Sequence, residues 1–126
     1  MTPTQRTIKA LKEQGRIPGI VERFNTHVGK FGIRQDLFGF IDIIAIDPEQ
    51  GIVAIQSCGQ DFAGHIKKMT GERNEAMYEW LKHSPVELIS WRKVKLSRGS
   101  KAMRWKPRIA DFSIDDNDDI IPKERK

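Results

Sequence analysis

Residues 39–57 read GFIDIIAIDPEQGIVAIQS. Two β-branched runs, FIDIIAID over 40–47 and GIVAIQSC over 51–58, flank Pro48, Glu49 and Gln50. Such runs around a Pro/Gly turn predict a β-hairpin. With Asp47 set opposite Gly51, Ile46 faces Ile52, Ile44 faces Ala54, Asp42 faces Gln56 and Phe40 faces Cys58. Strand alternation puts all of these on one face, and a one-residue slip would part Asp42 from Gln56. A carboxylate and an amide on an otherwise apolar face need partners, because burying an unpaired carboxylate costs several kcal/mol. Two readings follow from position alone. Asp42 caps a loop or is satisfied by a Gln56 hydrogen bond, or Asp42 holds a divalent cation to which Gln56 adds a neutral oxygen.

Working outward, Thr4 to Gln14 predicts a helix, with Thr2 or Thr4 as cap, Pro3 in the first turn, Ile8 and Leu11 on the apolar stripe and Gly15 as the stop. Ile17 to Phe24 predicts a strand, and the Gly-punctuated NTHVGKFGIRQDLFG after it predicts a loop or irregular edge. Beyond the hairpin, residues 61–69 and 72–82 predict two helices separated near Gly71. VELISWRKV and KAMRWKPRIADF predict two more strands joined by a turn over 97–100. The expected architecture is one α/β domain, a mixed β-sheet flanked by helices.

The chain's 126 residues fit a single domain of the usual ~100–200 residues. No apolar run approaches the roughly 18–20 residues that span a bilayer, and the charged N-terminal stretch MTPTQRTIKALKEQ has no secretory h-region. Cys58 is the one cysteine, which excludes an intrachain disulfide and a cysteine zinc cluster and leads to the expectation of a cytoplasmic protein. His27, His65 and His83 share no ligand spacing. The net charge of +5 divides unevenly: residues 1–109 carry 19 basic and 11 acidic side chains, and residues 110–126 carry three and six. Residues 1–112 are therefore expected to form the domain and 113–126 an acidic, flexible tail.

The central stretch resembles the core of the PD-(D/E)xK nuclease superfamily. Within it, the chain is similar to small phage and bacterial Holliday-junction-resolvase-like proteins, which carry R-x-D-L-F-G-x-x-D and then Q-x-S/T on the next strand. Arg34, Asp36, Leu37, Phe38, Gly39 and Asp42 match the first pattern, and Gln56 opens the second. Residues 21–25 and 91–93 also resemble parts of that pattern. The resemblance implies a restriction-endonuclease-like fold and Mg²⁺- or Mn²⁺-dependent cleavage of DNA, branched DNA in particular, and a two-fold substrate needing two active sites leads to the expectation of a homodimer. The resemblance makes Asp42 the central metal ligand, Gln56 the substitute for the usual acidic ligand, and Glu22 the acidic residue from the preceding element. Cys58 stands where the superfamily's lysine lies, so the cation must come from Lys67, Lys68, Lys93 or Arg34, with Lys68 taken as the catalytic candidate, or the site is weak. Asp36 is either a second ligand or a partner of Arg34 or Arg23 that fixes the loop, with the loop role slightly favoured.

The expected DNA contacts are Lys30, Arg34, Lys67, Lys68, Arg92 and Lys93, within a second half rich in phosphate-neutralising side chains. Trp91 and Trp105 are read as core or sheet-face residues rather than base-stacking platforms. The competing readings are a nucleic-acid-binding module of the same fold without catalysis, and an interaction protein whose basic face meets an acidic protein.

Overall fold

The computed structural model of the chain describes residues 1–27, 29–71 and 74–126. Helix α1 (Pro3–Glu13) is capped by Thr2, whose hydroxyl accepts from the Gln5 N–H while the Gln5 side chain accepts from the Thr2 N–H. This reciprocal box satisfies two of the helix's orphan donors. Gly15, at φ +82°, then turns the chain into β1 (Ile17–Ile20). After β2 (Arg23–Asn25) and β3 (Ile33–Gln35) comes the predicted hairpin, β4 (Ile43–Asp47) and β5 (Gly51–Cys58). Helices α2 (Phe62–Gly71) and α3 (Glu75–Leu81) follow, then β6 (Val86–Lys95), β7 (Met103–Ile114) and β8 (Ile120–Glu124).

Six strands form one mixed sheet in the order β1-β4-β5-β6-β7-β8, and β2 and β3 form a separate antiparallel pair. Among the described residues only β5 and β6 run parallel, which is why α2 and α3 lie between them in sequence. Leu11 of α1 packs with Ile43, Ala45, Val53, Ile55, Ile89 and Trp91 on one face. On the other face Phe62, Met69 and Met77 of α2 and α3 cover Ala54, Cys58, Leu88, Ala110 and Phe112. The β4–β5 register pairs Asp47 with Gly51, Ile46 with Ile52 and Ile44 with Ala54, as the alternation predicts.

The structure departs from the expected elements in three places. The strand expected over 17–24 breaks after Ile20, because the N–H groups of Val21 and Glu22 both donate to the Asp42 carbonyl, at 2.9 and 3.2 Å. Two successive donors on one acceptor end the ladder and release the chain toward β2. The stretch 25–39, expected as a loop or irregular edge, contains β3 and the end of β2, which pair with each other apart from the main sheet. The tail expected over 113–126 contains the last residues of β7 and all of β8, with Ile120 buried in the core and Arg125 bridging Asp111. Its charge density suggests a solvated end, whereas several of those charges are cross-strand partners. The predicted start of the second helix at residue 72 lies outside the described residues. Asn74 caps α3, its Oδ1 accepting from the Met77 N–H at 3.1 Å. Among the described residues no helix is long and apolar enough to cross a membrane.

Candidate metal centre

Asp42 lies just before β4 and is 3% exposed. Its backbone N–H donates to the Ile55 carbonyl at 3.0 Å, which prolongs the hairpin by one bond. Its Oδ2 accepts from Gln56 Nε2 at 2.7 Å and from the Ser57 N–H at 2.8 Å. The predicted juxtaposition of Asp42 and Gln56 is therefore present, with the amide nitrogen turned toward the carboxylate. Glu22 arrives because the end of β1 is tied to the Asp42 carbonyl.

Asp36 reaches the same place by a tight reversal. Leu37 and Ile41 exchange N–H···O bonds of 2.9 and 3.0 Å, and Phe38 and Gly39 between them take φ of 55° and 80°. Glycine adopts such angles freely. For Phe38 the left-handed conformation costs about 1–2 kcal/mol. The reversal folds Asp36 back over the start of β4, and one carboxylate oxygen each from Glu22, Asp36 and Asp42 lies within 4.8 Å of the others.

Burial, then a hydrogen bond with Asp36 and the charges of Asp36 and Glu22, push the Asp42 carboxyl up to about 8, against the opposing pull of the Ser57 N–H. Among the described residues, no lysine, arginine or histidine forms an ion pair with any of the three acids. Three converging hard oxygen donors with no cation of the fold paired to them match what Mg²⁺ or Mn²⁺ takes from a protein. A cavity of about 710 Å³ has Asp36 in its wall together with Arg23, Arg34 and Lys68. Carboxylate and cations thus border one opening to solvent.

The other expected residues fall in three places. Gln56 is 6% exposed and bonded to Asp42. Lys67 and Lys68 are exposed on α2, and Lys68 shares the cavity with Asp36 and with Arg34 of β3. Lys30 lies before β3 with its Nζ 5.6 Å from the Phe31 ring centroid. Arg92 and Lys93 lie on β6 beyond the end of its pairing with β5. Cys58 is buried, and burial pushes its thiol up while a Ser90 hydrogen bond opposes this, so the position holds a neutral group. Trp91 is a core residue, its Nε1 donating to Thr7 Oγ1 at 2.8 Å, and Trp105 lies under the Arg6 guanidinium. Asp36, for which the sequence slightly favours a loop role, lies beside Glu22 and Asp42 in the acidic cluster. The signal for that place is the Phe38-Gly39 turn, whose geometry emerges only once Leu37 and Ile41 pair.

Comparisons with protein-family models, with curated proteins and with solved structures find no match to this chain.

Proposed function

We propose that the protein is a metal-dependent endodeoxyribonuclease with a restriction-endonuclease-like core, selective for branched DNA in the manner of a junction resolvase. The observation that carries this reading is the convergence of Glu22, Asp36 and Asp42 within 4.8 Å at the end of the β4–β5 hairpin. In the proposed site these carboxylates hold Mg²⁺ or Mn²⁺, and Gln56 keeps Asp42 oriented through its amide nitrogen while its oxygen remains a candidate ligand. The cation would polarise the scissile phosphate and acidify a water. Lys68 and Arg34, beside Asp36 in the cavity wall, attract the phosphate, and Lys68 takes the place of the positive charge that Cys58 does not supply. A branched substrate with two-fold symmetry calls for two such sites, hence a homodimer.

One observation favours a second reading, a binding protein of the same fold without catalysis: the neutral Cys58 where the resemblance places a lysine. Incubating the protein with branched and linear DNA, in Mg²⁺, Mn²⁺ or chelator, separates the two. Metal-dependent cleavage that Asp42→Ala abolishes, with the fold intact by circular dichroism, supports the nuclease. Retained DNA binding with no cleavage under any metal leaves the second reading.

A further inference from the structure

Between Glu87 and Asp111 the chain carries eight Lys and Arg and no carboxylate, while the rest of the chain carries 14 basic residues against 17 acidic. The whole positive balance of the protein therefore lies in one element, the β6–β7 ribbon with its turn. β5 leaves β6 at Ser90, and the pairing of β8 with β7 ends at Ala110, beyond which the Arg125 N–H makes one more bond to the Ile109 carbonyl. Residues 91–95 and 103–107 thus pair only with each other, as a two-stranded ribbon with a further bond from the Leu96 N–H to the Ala102 carbonyl. Five paired residues extend it roughly 17 Å before the turn.

The register places like charges where stability would avoid them. Arg92 lies directly opposite Lys106, an arrangement that disfavours the sheet. Among the described residues only Arg108 of this segment forms an ion pair, with Glu124 at the root. A face evolved for solubility alone would interleave both signs. Arg92, Arg104 and Lys106 project from the face that Ser90 shares, and Lys93 and Lys95 from the opposite face, so both sides of the ribbon are cationic.

We infer that this ribbon is a duplex-DNA arm whose outer end, past the α1 residues packed on Trp91 and Trp105, lies in the major groove, its two cationic faces meeting the phosphates of the two groove walls. The major groove of B-form DNA admits a two-stranded β-ribbon, whereas that of A-form RNA is too narrow and deep. A flat acidic protein would engage one face only. Single-strand binders offer open aromatic platforms, and Trp105 has the Arg6 guanidinium 3.6 Å from its centroid and Lys93 Nζ at 5.3 Å. The inference takes DNA as the partner from the nuclease reading and adds how the duplex is held, with no demand on cleavage.

Fluorescence anisotropy in chelator, with a DNA duplex of about two helical turns as probe, tests it. Wild type should bind with affinity falling steeply with salt. Arg92→Gln/Arg104→Gln/Lys106→Gln should lose at least about tenfold at 0.1 M salt and flatten the log–log salt slope by about 2–3, near 0.9 per phosphate contact removed. Lys93→Gln/Lys95→Gln, on the other face, should lose in the same sense, with both variants melting as wild type does. Binding by either variant at wild-type strength overturns the arm. So does an absence of wild-type binding, equal affinity for single-stranded DNA or an RNA duplex, or competition by polyglutamate at equal charge. Wild type that binds through the ribbon and cleaves nothing in Mg²⁺ or Mn²⁺ counts against the nuclease alone. Cleavage together with ribbon variants that bind normally counts against the arm alone.

Discussion

Strand β4 has an aspartate at each end, and the fold treats the two in opposite ways. Asp47 accepts from the Glu49 and Gln50 N–H groups at 2.8 and 2.9 Å and from Arg16 Nε at 2.6 Å, and these donors hold its carboxyl down at about 2. Arg16 also grips Glu87, which is 1% exposed, with two bonds of 3.0 and 2.9 Å, and Arg125 adds a second cation to Glu87 at 3.1 Å. Asp42, at the other end, meets an amide, one N–H and two further acids, and its carboxyl is pushed up to about 8. Acids with arginines supplied are structural. Under the proposed function, a buried acid surrounded by acids is left for a cation from outside.

The largest break in this contrast is expected at Glu87. Glu87→Ala leaves Arg16 buried without its main partner and should cost about 3–5 kcal/mol in chemical denaturation. An effect below about 1 kcal/mol would mean that the arginine end is not structural. Asp42→Asn should move stability the other way. The substituted amide still offers an oxygen to Gln56 and Ser57 and removes the repulsion from Asp36, so at pH 8 without metal the variant should gain roughly 1–3 kcal/mol.

The pH dependence carries opposite signs at the two ends. Asp42 has a raised folded value, so the folded state retains a proton that the unfolded state has lost, and stability falls as pH rises from about 4 to 8. Asp47 has a lowered value, so its contribution is present above about 4 and is lost as pH falls toward 2. Metal-free melting temperatures should therefore decline on both sides of a maximum in mildly acidic solution, the upper decline being absent in Asp42→Asn and reduced by saturating Mn²⁺. A rise in melting temperature between pH 5 and 8 without metal would contradict the assignment. The smallest effect is expected at Glu124, whose pair with Arg108 is largely exposed. Glu124→Gln should stay within about 1 kcal/mol of wild type in the same denaturation series.

The half of this contrast around Asp42 and Gln56 is legible in the sequence because alternation and a three-residue turn are local properties. They set the Asp47–Gly51 register and so put Asp42 beside Gln56. The capped helix at Thr2 is legible for the same reason. Asp36 is not, because a Gly-punctuated loop can run many ways, and its position follows from a reversal at Phe38 and Gly39 that is fixed only when Leu37 and Ile41 pair. Nor is Glu87, which sits in VELISW as an ordinary strand residue and whose main partner, Arg16, lies 71 residues away. The C-terminal segment departs from its expected flexibility because charge density favours solvation only where charges lack partners, while Ile120 and the Arg125–Asp111 bridge fold this one against β7.

The most direct measurement is calorimetric titration of Mn²⁺ into metal-free protein near neutral pH, alongside Asp42→Asn and Asp36→Asn. Wild type should bind saturably and release protons on binding because the Asp42 carboxyl must ionise, and each variant should bind at least about tenfold more weakly. An absence of saturable binding by wild type, or equal binding by Asp42→Asn, would contradict a cation site at the start of β4.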